Sequence, residues 1–539
     1  MTSKFAESFG IRLRRAYQSL HRRANAELRR QFKVTADQFV VLSLLAEQDG
    51  VSQQEICNRC YSDPSTIGAL LRLLERRGWL TRDPDPEDAR ARRVHLTQAG
   101  RGLQRQLWEA AGQTFHRDLW SAIRTEAEEQ IVFDVLDRVV RAMERTDGRR
   151  SESVSPYRLS VVSEPDPYPY YRELRESDPA HYSVREDMWV ITRYRDVTNA
   201  LRDWKTWSSA RRGNLINDMP ERVGRTLGTT DPPDHRFARS LVEKAFSRSS
   251  VERLSQPIAS LARDLAAAAK ERGTSDLVED VSAPFNAAIL GAMFGVPDED
   301  FLRLRQWLDD FFLREEAAPV RESRQQVAMA RLREYLDLLA DERIRRPSDD
   351  LMSKMLRAEE GGLRMSQSQV VLTTMTFLTA GFESTNNLFT NLSNALAMHP
   401  DVYARLKETP ALIPRFVEEG MRWDAPAQGF VRCPTRDVTL HGRKITEGAQ
   451  VLMHIGSANR DDREFVHPDR FDLDRRRNQH LSLGMGIHYC VGALLAREMA
   501  HSVVAALIEA SSVWEVDLDR SRRVTTPNFR GFSRLTLSI

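Results

Sequence analysis

A cysteine lies among closely spaced glycines near the C-terminal end of the chain, in LSLGMGIHYCVG at residues 481–492. Gly484 and Gly486 can adopt positive φ and let the backbone approach a bound group closely, because glycine has no Cβ. Gly492 precedes the helical pattern ALLAREMA, whose N-terminus stabilises a thiolate on Cys490. A thiolate held among backbone amides is a suitable axial ligand for haem iron. The pattern predicts a haem-thiolate site, and the alternative is a buried structural cysteine.

A second chemically active pattern, LTAGFESTNN at residues 378–387, lies on a helical segment that opens near Ser366. The small side chain of Ala380 leaves room for dioxygen. Glu383 followed by Ser384 places an acid beside a hydroxyl, and such a pair can relay protons during O–O bond cleavage. The alternative is a small-residue kink in a packed helix.

These patterns must be positioned by more than one domain, because 539 residues are long for a single core. A stretch rich in Ser, Pro and charge at residues 146–168 has little apolar periodicity, which is typical of a linker. We predict an N-terminal domain at residues 1–147, a linker at residues 148–165 and a C-terminal domain at residues 166–539.

The N-terminal domain has the pattern of a mainly-α winged helix-turn-helix. In DPSTIGALLRLLERRG, Asp63 can cap a helix that starts at Pro64 and ends at Gly78. Strand-like runs at residues 79–82 and 92–97 then flank a tip of Pro, Asp and Arg, which predicts a β-hairpin wing.

This order of elements resembles the MarR family of winged-helix transcription regulators across about residues 5–146. Asp88 and Arg90 occupy the family's Asp-x-Arg pair in the wing. The resemblance implies binding of double-stranded DNA, and a homodimer formed through terminal helices at residues 5–30 and 114–144. We expect phosphate contacts to supply most of the affinity. The DNA contacts expected on the recognition helix and wing are Ser65, Thr66, Arg72, Arg82, Arg90, Arg92 and Arg93.

Two features leave alternatives open for this domain. Residues 1–150 contain 26 Lys and Arg against 21 Asp and Glu, and the remainder 53 against 56, a modest lean toward an anionic partner. The basic residues could instead be solvated surface. Family members often carry polar or basic residues where this chain has Gly68 and Ala69, so the domain could also serve dimerisation alone.

The four cysteines are too few for a disulfide framework, and no apolar run approaches the ~20 residues that span a bilayer. We therefore expect a cytoplasmic protein without a membrane contact. Cys57 and Cys60 form a C-x-x-C that could indicate metal or redox chemistry. No second Cys pair or His cluster accompanies it, which favours two buried structural cysteines.

Residues 156–539 resemble a bacterial cytochrome P450, a mainly-α haem-thiolate monooxygenase with minor β-sheets. The family's cysteine loop F-G-x-G-x-H-x-C-x-G is matched except that Leu483 replaces Phe, which could alter the redox potential or haem packing. Glu419 and Arg422 match the family's structural E-x-x-R. The resemblance implies haem b, with Cys490 as the iron ligand. The residues it assigns to haem binding are His235, Arg239, Ala380, Arg432, His488, Cys490 and Gly492.

The same resemblance implies catalytic roles for Glu383 and Ser384. Most relatives carry Thr where Ser384 stands, and serine lacks the methyl group that fixes the rotamer, so coupling could be looser. The substrate is expected to be a small lipophilic or aromatic molecule. The pocket positions that the resemblance implies are Phe382, Ala427, Phe430 and Phe529.

The resemblance further implies O2 as co-substrate, with electrons from NAD(P)H delivered by a separate ferredoxin and reductase. The run Arg475–Arg477 could meet an acidic ferredoxin, or it could be solvated surface. The rival interpretation is a ligand-sensing regulator whose haem domain does not turn over. The intact pair of Glu383 and Ser384 favours an enzyme, because a sensor needs no proton relay.

Overall fold

The computed structural model divides the chain into two compact units, Met1–Ser155 and Pro156–Ile539. The described residues are 9–60, 62, 64–84, 92–113, 132, 157–183, 186–216, 222–246, 248–312 and 318–539. Asp63, Asp88, Arg90 and, except for position 132, the terminal helix predicted at residues 114–144 lie outside them. Within the described part of the chain, no helix is long and apolar enough to cross a membrane.

The first unit is a winged helix-turn-helix. Its described elements are α1 (Phe9–Phe32), α2 (Ala36–Glu47), β1 (Val51–Ser52), α3 (Gln53–Arg59), α4 (Pro64–Arg76), β2 (Leu80–Pro84), β3 (Arg92–Leu96) and α5 (Gln98–Gln113). Thr35 caps α2 through a capping box with Gln38. The strands pair antiparallel in the order β1-β3-β2. Buried Leu, Ile and Val side chains of α2, α4 and the wing form its core, so the recognition helix and wing are held on one support.

The second unit is mainly helical with small sheets, and the fold-class prediction is confirmed. Its first helices are α6 (Tyr168–Ser177), α7 (Tyr194–Arg202), α8 (Asp234–Ala245), α9 (Arg248–Arg272), α10 (Ala283–Phe294), α11 (Phe301–Phe312) and α12 (Ala318–Arg345). The later helices are α13 (Leu351–Arg357), α14 (Gln367–Met398), α15 (Pro400–Glu408), α16 (Ile413–Trp423), α17 (Ile455–Ala458) and α18 (Ala493–Ala510). One apolar core runs through α10, α14, α16 and α18.

The largest described sheet has the strand order β4-β5-β13-β10-β6. Its strands are β4 (Ala180–Ser183), β5 (Met188–Ile191), β6 (Trp207–Ser208), β10 (Gly429–Pro434) and β13 (Val451–His454). The smaller sheets pair β8 (Glu359–Glu360) with β9 (Leu363–Arg364), β11 (Val438–Leu440) with β12 (Arg443–Ile445), and β15 (Phe532–Ser538) with both β14 (Glu515–Arg523) and β7 (Thr274–Asp276).

Residues 157–165 pack into the second unit, although the sequence predicts that they belong to the linker. Tyr157 is buried, and the Arg530 guanidinium donates to three carbonyl oxygens of this segment at 2.6–2.9 Å. Arg530 also pairs with the buried carboxylate of Asp424 at 2.7 Å. Because these contacts join residues far apart in the chain, local composition did not reveal them, and the second unit begins near Pro156.

The central helix α14 carries the predicted acid and hydroxyl through the core. Its N-terminus is a capping box between Ser366 and Gln369, at the position where the sequence predicts the helix to open. The half that follows Ser384 buries an unusual number of polar side chains for a core helix. Asn386, Thr390 and Asn391 form hydrogen bonds with residues outside α14, so this helix is fixed by hydrogen bonds as well as by apolar packing.

Candidate functional site

The cysteine loop is shaped by two glycines in the left-handed region. Gly484 and Gly486 have φ of 76° and 70°. A methyl group on Gly486 would lie 2.6 Å from the carbonyl oxygen of Leu201, so the loop passes directly against the end of α7. The Cys490 amide donates to the Leu483 carbonyl at 2.8 Å. Glycine at both positions therefore permits the turn that presents the cysteine.

The Cys490 thiol is half-buried just before α18. Burial raises the pKa of this thiol, while a hydrogen bond from the Gly492 amide and the positive charges of Arg239 and Arg497 act in the opposite direction. A coordinated metal ion outweighs such burial and deprotonates a thiol ligand. The donor set thus fits a thiolate that is stabilised by a bound iron.

Two buried groups, His235 and Arg432, and the half-buried His488 lie near one another beside the loop. The rings of His235 and His488 lie 4.5 Å apart in an edge-on contact. Burial, followed by the charge of Arg239, lowers the pKa of His235 to about 4, and burial, followed by Arg432, lowers that of His488 to about 2. Such a group of neighbours is unfavourable for protonation unless an anion faces it.

The partners of these groups leave capacity for an anion. Nε2 of His235 is buried without a hydrogen-bond partner within the described residues. Arg432, on β10, is buried and donates to the Val431 carbonyl at 2.7 Å, and among the described residues it forms no ion pair. The nearby Asp231 carboxylate accepts hydrogen bonds from Ser208 and the Ser209 amide. The residues present therefore fit the two propionates of haem b.

Arg239 contacts the backbone of the cysteine loop. Its guanidinium donates to the Tyr489 carbonyl at 2.6 Å and to the Ile487 carbonyl at 3.4 Å, and pairs with Glu243 at 2.5 Å. In this arrangement Arg239 braces the segment that leads to Cys490.

On α14, Glu383 and Ser384 lie in different surroundings. The Ser384 hydroxyl donates to the Ala380 carbonyl at 2.6 Å, and Ala380 itself is exposed. Glu383 is buried, and its Oε1 accepts a hydrogen bond from Nδ2 of Asn387 at 3.3 Å. The serine therefore lies at an accessible turn of the helix, and the acid is held inside the protein.

The structure brings two of the four predicted substrate positions into contact, and a third follows closely in the chain. Ala427 and Phe529 form an antiparallel bridge, and Phe430 follows on β10. The fourth, Phe382, is buried and stacks on Phe312 of α11, with ring centroids 6.2 Å apart.

Asn528, next to the predicted position Phe529, joins these positions. Nδ2 of the buried Asn528 donates to the Gly429 carbonyl and its Oδ1 accepts from the Ile216 amide, both at 3.0 Å. Its carbonyl accepts from the Gln428 amide at 2.7 Å. A single asparagine in a loop carries no sequence signal for such contacts, because its three partners come from distant segments.

The E-x-x-R pair is a buried bidentate ion pair on α16. Arg422 donates to the two carboxylate oxygens of Glu419 at 2.8 and 2.7 Å, and both side chains are almost fully buried. Arg422 also donates to the Asn459 and Pro468 carbonyls at 3.0 and 2.7 Å. The pair therefore fastens α16 to the long segment that precedes the cysteine loop.

Arg475 belongs to this network, which corrects its interpretation as part of a surface for ferredoxin. Its Nε lies 3.0 Å from Oε2 of Glu419, and its side chain is only 7% exposed. Arg476 and Arg477 are exposed, with 74% of the Arg477 side chain accessible. Glu419 and Arg475 are 56 residues apart, so no local pattern could distinguish Arg475 from its two neighbours.

The recognition helix α4 presents a small polar face. Ser65, Thr66 and Arg72 are exposed, together with Ala69. Gly68 is buried instead, and a methyl group there would lie 3.2 Å from Nε2 of Gln53 on α3. Gly68 therefore faces α3, and of the two small residues only Ala69 lies on the exposed face.

The wing arginines differ in their surroundings. Arg82 pairs with Glu75, and Arg93 donates to the Gly50 carbonyl at 3.0 Å. Arg92 is exposed, and Arg90 lies outside the described residues.

Cys57 of the C-x-x-C is buried and Cys60 is half-buried. Within the described residues there is no cluster of three or more metal-ligating side chains.

Comparison with known proteins assigns both units. Residues 34–91 match the MarR family model, and residues 411–536 match the Cytochrome P450 family model. Cyclomarin C epoxidase CymV of Salinispora arenicola is 34% identical over 360 residues, which are 64% of this chain and 89% of that protein. The chain belongs to the cytochrome P450 family. Its first unit contains a MarR family region, so the predicted fusion is confirmed.

Other relatives agree with this assignment. Cytochrome P450 CYP107DY1 of Priestia megaterium is 31% identical over 339 residues, covering 60% of this chain and 82% of that protein. The crystal structure of CYP109E1 from Bacillus megaterium in complex with corticosterone has a TM-score of 0.64 and 29% identity, over 69% of this chain and 98% of that chain. The protein is a cytochrome P450 monooxygenase with a cysteine-ligated haem b, and its fold implies O2 and redox partners.

The network around Glu419 predicts opposite outcomes for two neighbouring arginines. Arg475→Ala removes a charged hydrogen-bond donor from a buried carboxylate, and we expect it to lower the free energy of unfolding by about 2 kcal/mol. Arg477→Ala, the control, changes an exposed side chain and is expected to alter it by less than about 0.5 kcal/mol. Denaturant titration of the haem-loaded protein measures both, and equal effects would contradict a structural role for Arg475.

Proposed function

We propose that this cytochrome P450 inserts one oxygen atom from O2 into a small lipophilic or aromatic molecule, with Cys490 as the iron ligand. The observation that carries the proposal is the pair on α14, with Glu383 buried and the Ser384 hydroxyl bonded to the Ala380 carbonyl at 2.6 Å. When bound, haem supplies the iron that activates dioxygen. A protein that only sensed a ligand would need no proton path beside that iron.

Two kinds of contact would hold the cofactor: cationic or hydrogen-bonding side chains at its propionates, and the backbone that positions Cys490. Arg432, His235 and His488 would provide the donors for the propionates. Nε2 of His235 has no partner in the described residues, and Nε2 of His488 lies 3.1 Å from the Ser209 hydroxyl. Charge-assisted hydrogen bonds of this kind are among the strongest available to a protein. Arg239 acts one step further out, because its contacts with the Tyr489 carbonyl fix the loop that carries Cys490.

Proton delivery is assigned to Glu383 and Ser384. The Ser384 hydroxyl donates its hydrogen to the Ala380 carbonyl. The lone pairs of its oxygen remain available to accept a hydrogen bond from the group that carries the proton. Glu383 is the only acid in the segment LTAGFESTNN, and its burial limits direct exchange with solvent. We infer that it supplies protons from the protein interior.

The substrate class is inferred from the lining positions and from relatives. Ala427, Phe430 and Phe529 provide an apolar surface that Asn528 ties together. The name of the Salinispora relative makes it an epoxidase of cyclomarin C, and CYP109E1 is known in complexes with corticosterone and testosterone. The two steroids have largely apolar surfaces, which supports a lipophilic substrate for this chain.

Electrons are proposed to come from NAD(P)H through a separate reductase and ferredoxin. An acidic ferredoxin would be attracted by exposed cations, and Arg476 and Arg477 are exposed a few residues before the cysteine loop. Arg475 is not part of this surface because it pairs with Glu419.

We further propose that the first unit binds double-stranded DNA as a homodimer. The exposed face of α4, with Ser65, Thr66 and Arg72, suits entry into a major groove. Arg92, exposed on the wing, suits a phosphate contact. Ala69 contributes no hydrogen bond to a base, so sequence selectivity depends on the polar residues around it.

The ligand assignment predicts a spectroscopic loss. In the reduced protein, carbon monoxide should produce the long-wavelength absorption band of thiolate-ligated haem. Cys490→Ala should abolish this band because the thiolate is gone. Cys433→Ala is the matched control, since Cys433 is a buried cysteine on β10, and should leave the band unchanged. Survival of the band without Cys490 would overturn the assignment.

The proton relay predicts uncoupling. Ser384→Ala should increase the hydrogen peroxide released per O2 consumed by about 10-fold, because oxygen reduction continues while proton delivery fails. Glu383→Gln should slow turnover and shift the same ratio upward. Both ratios are measured with a surrogate ferredoxin and reductase. Unchanged values in both variants would remove these residues from the mechanism and favour the ligand-sensing regulator.

The DNA proposal predicts a position-specific loss of affinity. Arg72→Ala should weaken binding to DNA from upstream of the protein's own gene by about 1–3 kcal/mol, in a gel-shift titration at one salt concentration. Arg105→Ala, exposed on α5 outside the helix-turn-helix and wing, is the control and should have no comparable effect. If neither variant nor the natural protein binds this DNA, a dimerisation-only role is favoured.

A further inference from the structure

The stretch of α14 after the catalytic pair is fastened to the terminal part of the chain. Nδ2 of Asn391 donates to the carbonyls of Asp424 and Arg530 at 3.0 and 2.9 Å. The Thr390 hydroxyl accepts from the Phe532 amide at 3.2 Å. The terminal loop that precedes β15 is therefore seated directly on this helix.

Asn387 lies between that loop and the acid. It is buried, with 1% of its surface accessible, and its Nδ2 donates to Oε1 of Glu383 at 3.3 Å. The two residues are four apart on one helix, so their side chains lie on the same face. An amide donor at this distance favours one orientation of the carboxylate.

Gly531 fixes Asn387 from the other side. A methyl group added to Gly531 would lie 2.2 Å from Oδ1 of Asn387 and 2.7 Å from its Cα and Cβ. No side chain fits in that space, and one of the contacting atoms belongs to the helix backbone. The loop backbone at Gly531 thus packs tightly against Asn387, the residue whose amide donates to Glu383.

We propose that Asn387, held in place by Gly531, is a positioning residue that orients Glu383 for proton delivery. This inference rests on the proposed role of Glu383. It adds that the orientation of the acid is set by the terminal loop as well as by α14. That loop also carries Phe529, which bridges to Ala427, so the substrate side of the site and the proton donor share one support.

The test compares the same chemical change at two adjacent positions. Asn387→Asp keeps the size of the side chain but replaces the amide donor by a carboxylate. Asn386→Asp is the matched control, because Oδ1 of Asn386 accepts from Asn286 at 2.6 Å and aspartate retains this acceptor. We expect Asn387→Asp to increase peroxide released per O2 by about 10-fold, and Asn386→Asp by less than about 2-fold.

A double-mutant cycle shows whether Asn387 acts through Glu383. In the Glu383→Gln background, Asn387→Asp should cause no further increase of the peroxide ratio. The cycle is repeated on thermal unfolding midpoints, which do not depend on turnover. Positions 383 and 387 should be non-additive there, whereas positions 383 and 386 should be additive.

Gly531→Ala provides an independent variant, because it displaces Asn387 without changing its chemistry. It should reproduce the raised peroxide ratio of Asn387→Asp. Additive unfolding effects at positions 383 and 387, or a Gly531→Ala variant with an unchanged ratio, would overturn the inference. If Glu383→Gln itself leaves the ratio unchanged, the proposed role of Glu383 fails instead, and the unfolding cycle still decides whether Asn387 holds residue 383.

Discussion

The carboxylate of Glu419 is the constraint on which the cysteine loop depends. It accepts hydrogen bonds from Nε and Nη2 of Arg422, from the side chain of Arg475 and from the amide of Asp472. Breaking a buried ion pair on one side costs about 3–5 kcal/mol, because the remaining charge stays buried. Every partner lies either on α16 or in the segment that leads to Cys490. The ion pairs of Glu419 thus hold the segment that leads to the thiol, and the glycines beside the thiol shape the loop itself.

A similar combination of local and distant contacts is found on α14. Ser384 is controlled locally, by a hydrogen bond to Ala380 within one turn of helix. Glu383 is also contacted by Asn387, whose position is limited by Gly531 in the terminal loop. The local element supplies the chemical group, and a distant segment determines its orientation. This combination lets a regular helix carry two polar groups with different exposure.

Features encoded in short stretches of sequence could be predicted, and features created by tertiary contact could not. The positive φ of Gly484 and Gly486 follows from their types. The capping box at Ser366 and the order of helix and wing in the first unit follow from local patterns in the same way. The burial of Arg475 and the packing of residues 157–165 depend on partners tens to hundreds of residues away, so no local pattern reveals them.

The entry of the chain into the second unit has a mechanical consequence. The second unit starts with a segment, residues 157–165, in which three carbonyl oxygens accept hydrogen bonds from Arg530. Arg530 stands between Phe529 and Gly531 in the chain. A pull on the connection would therefore load the same few residues that border the substrate positions and confine Asn387. Tension would then reach these residues along the covalent chain itself.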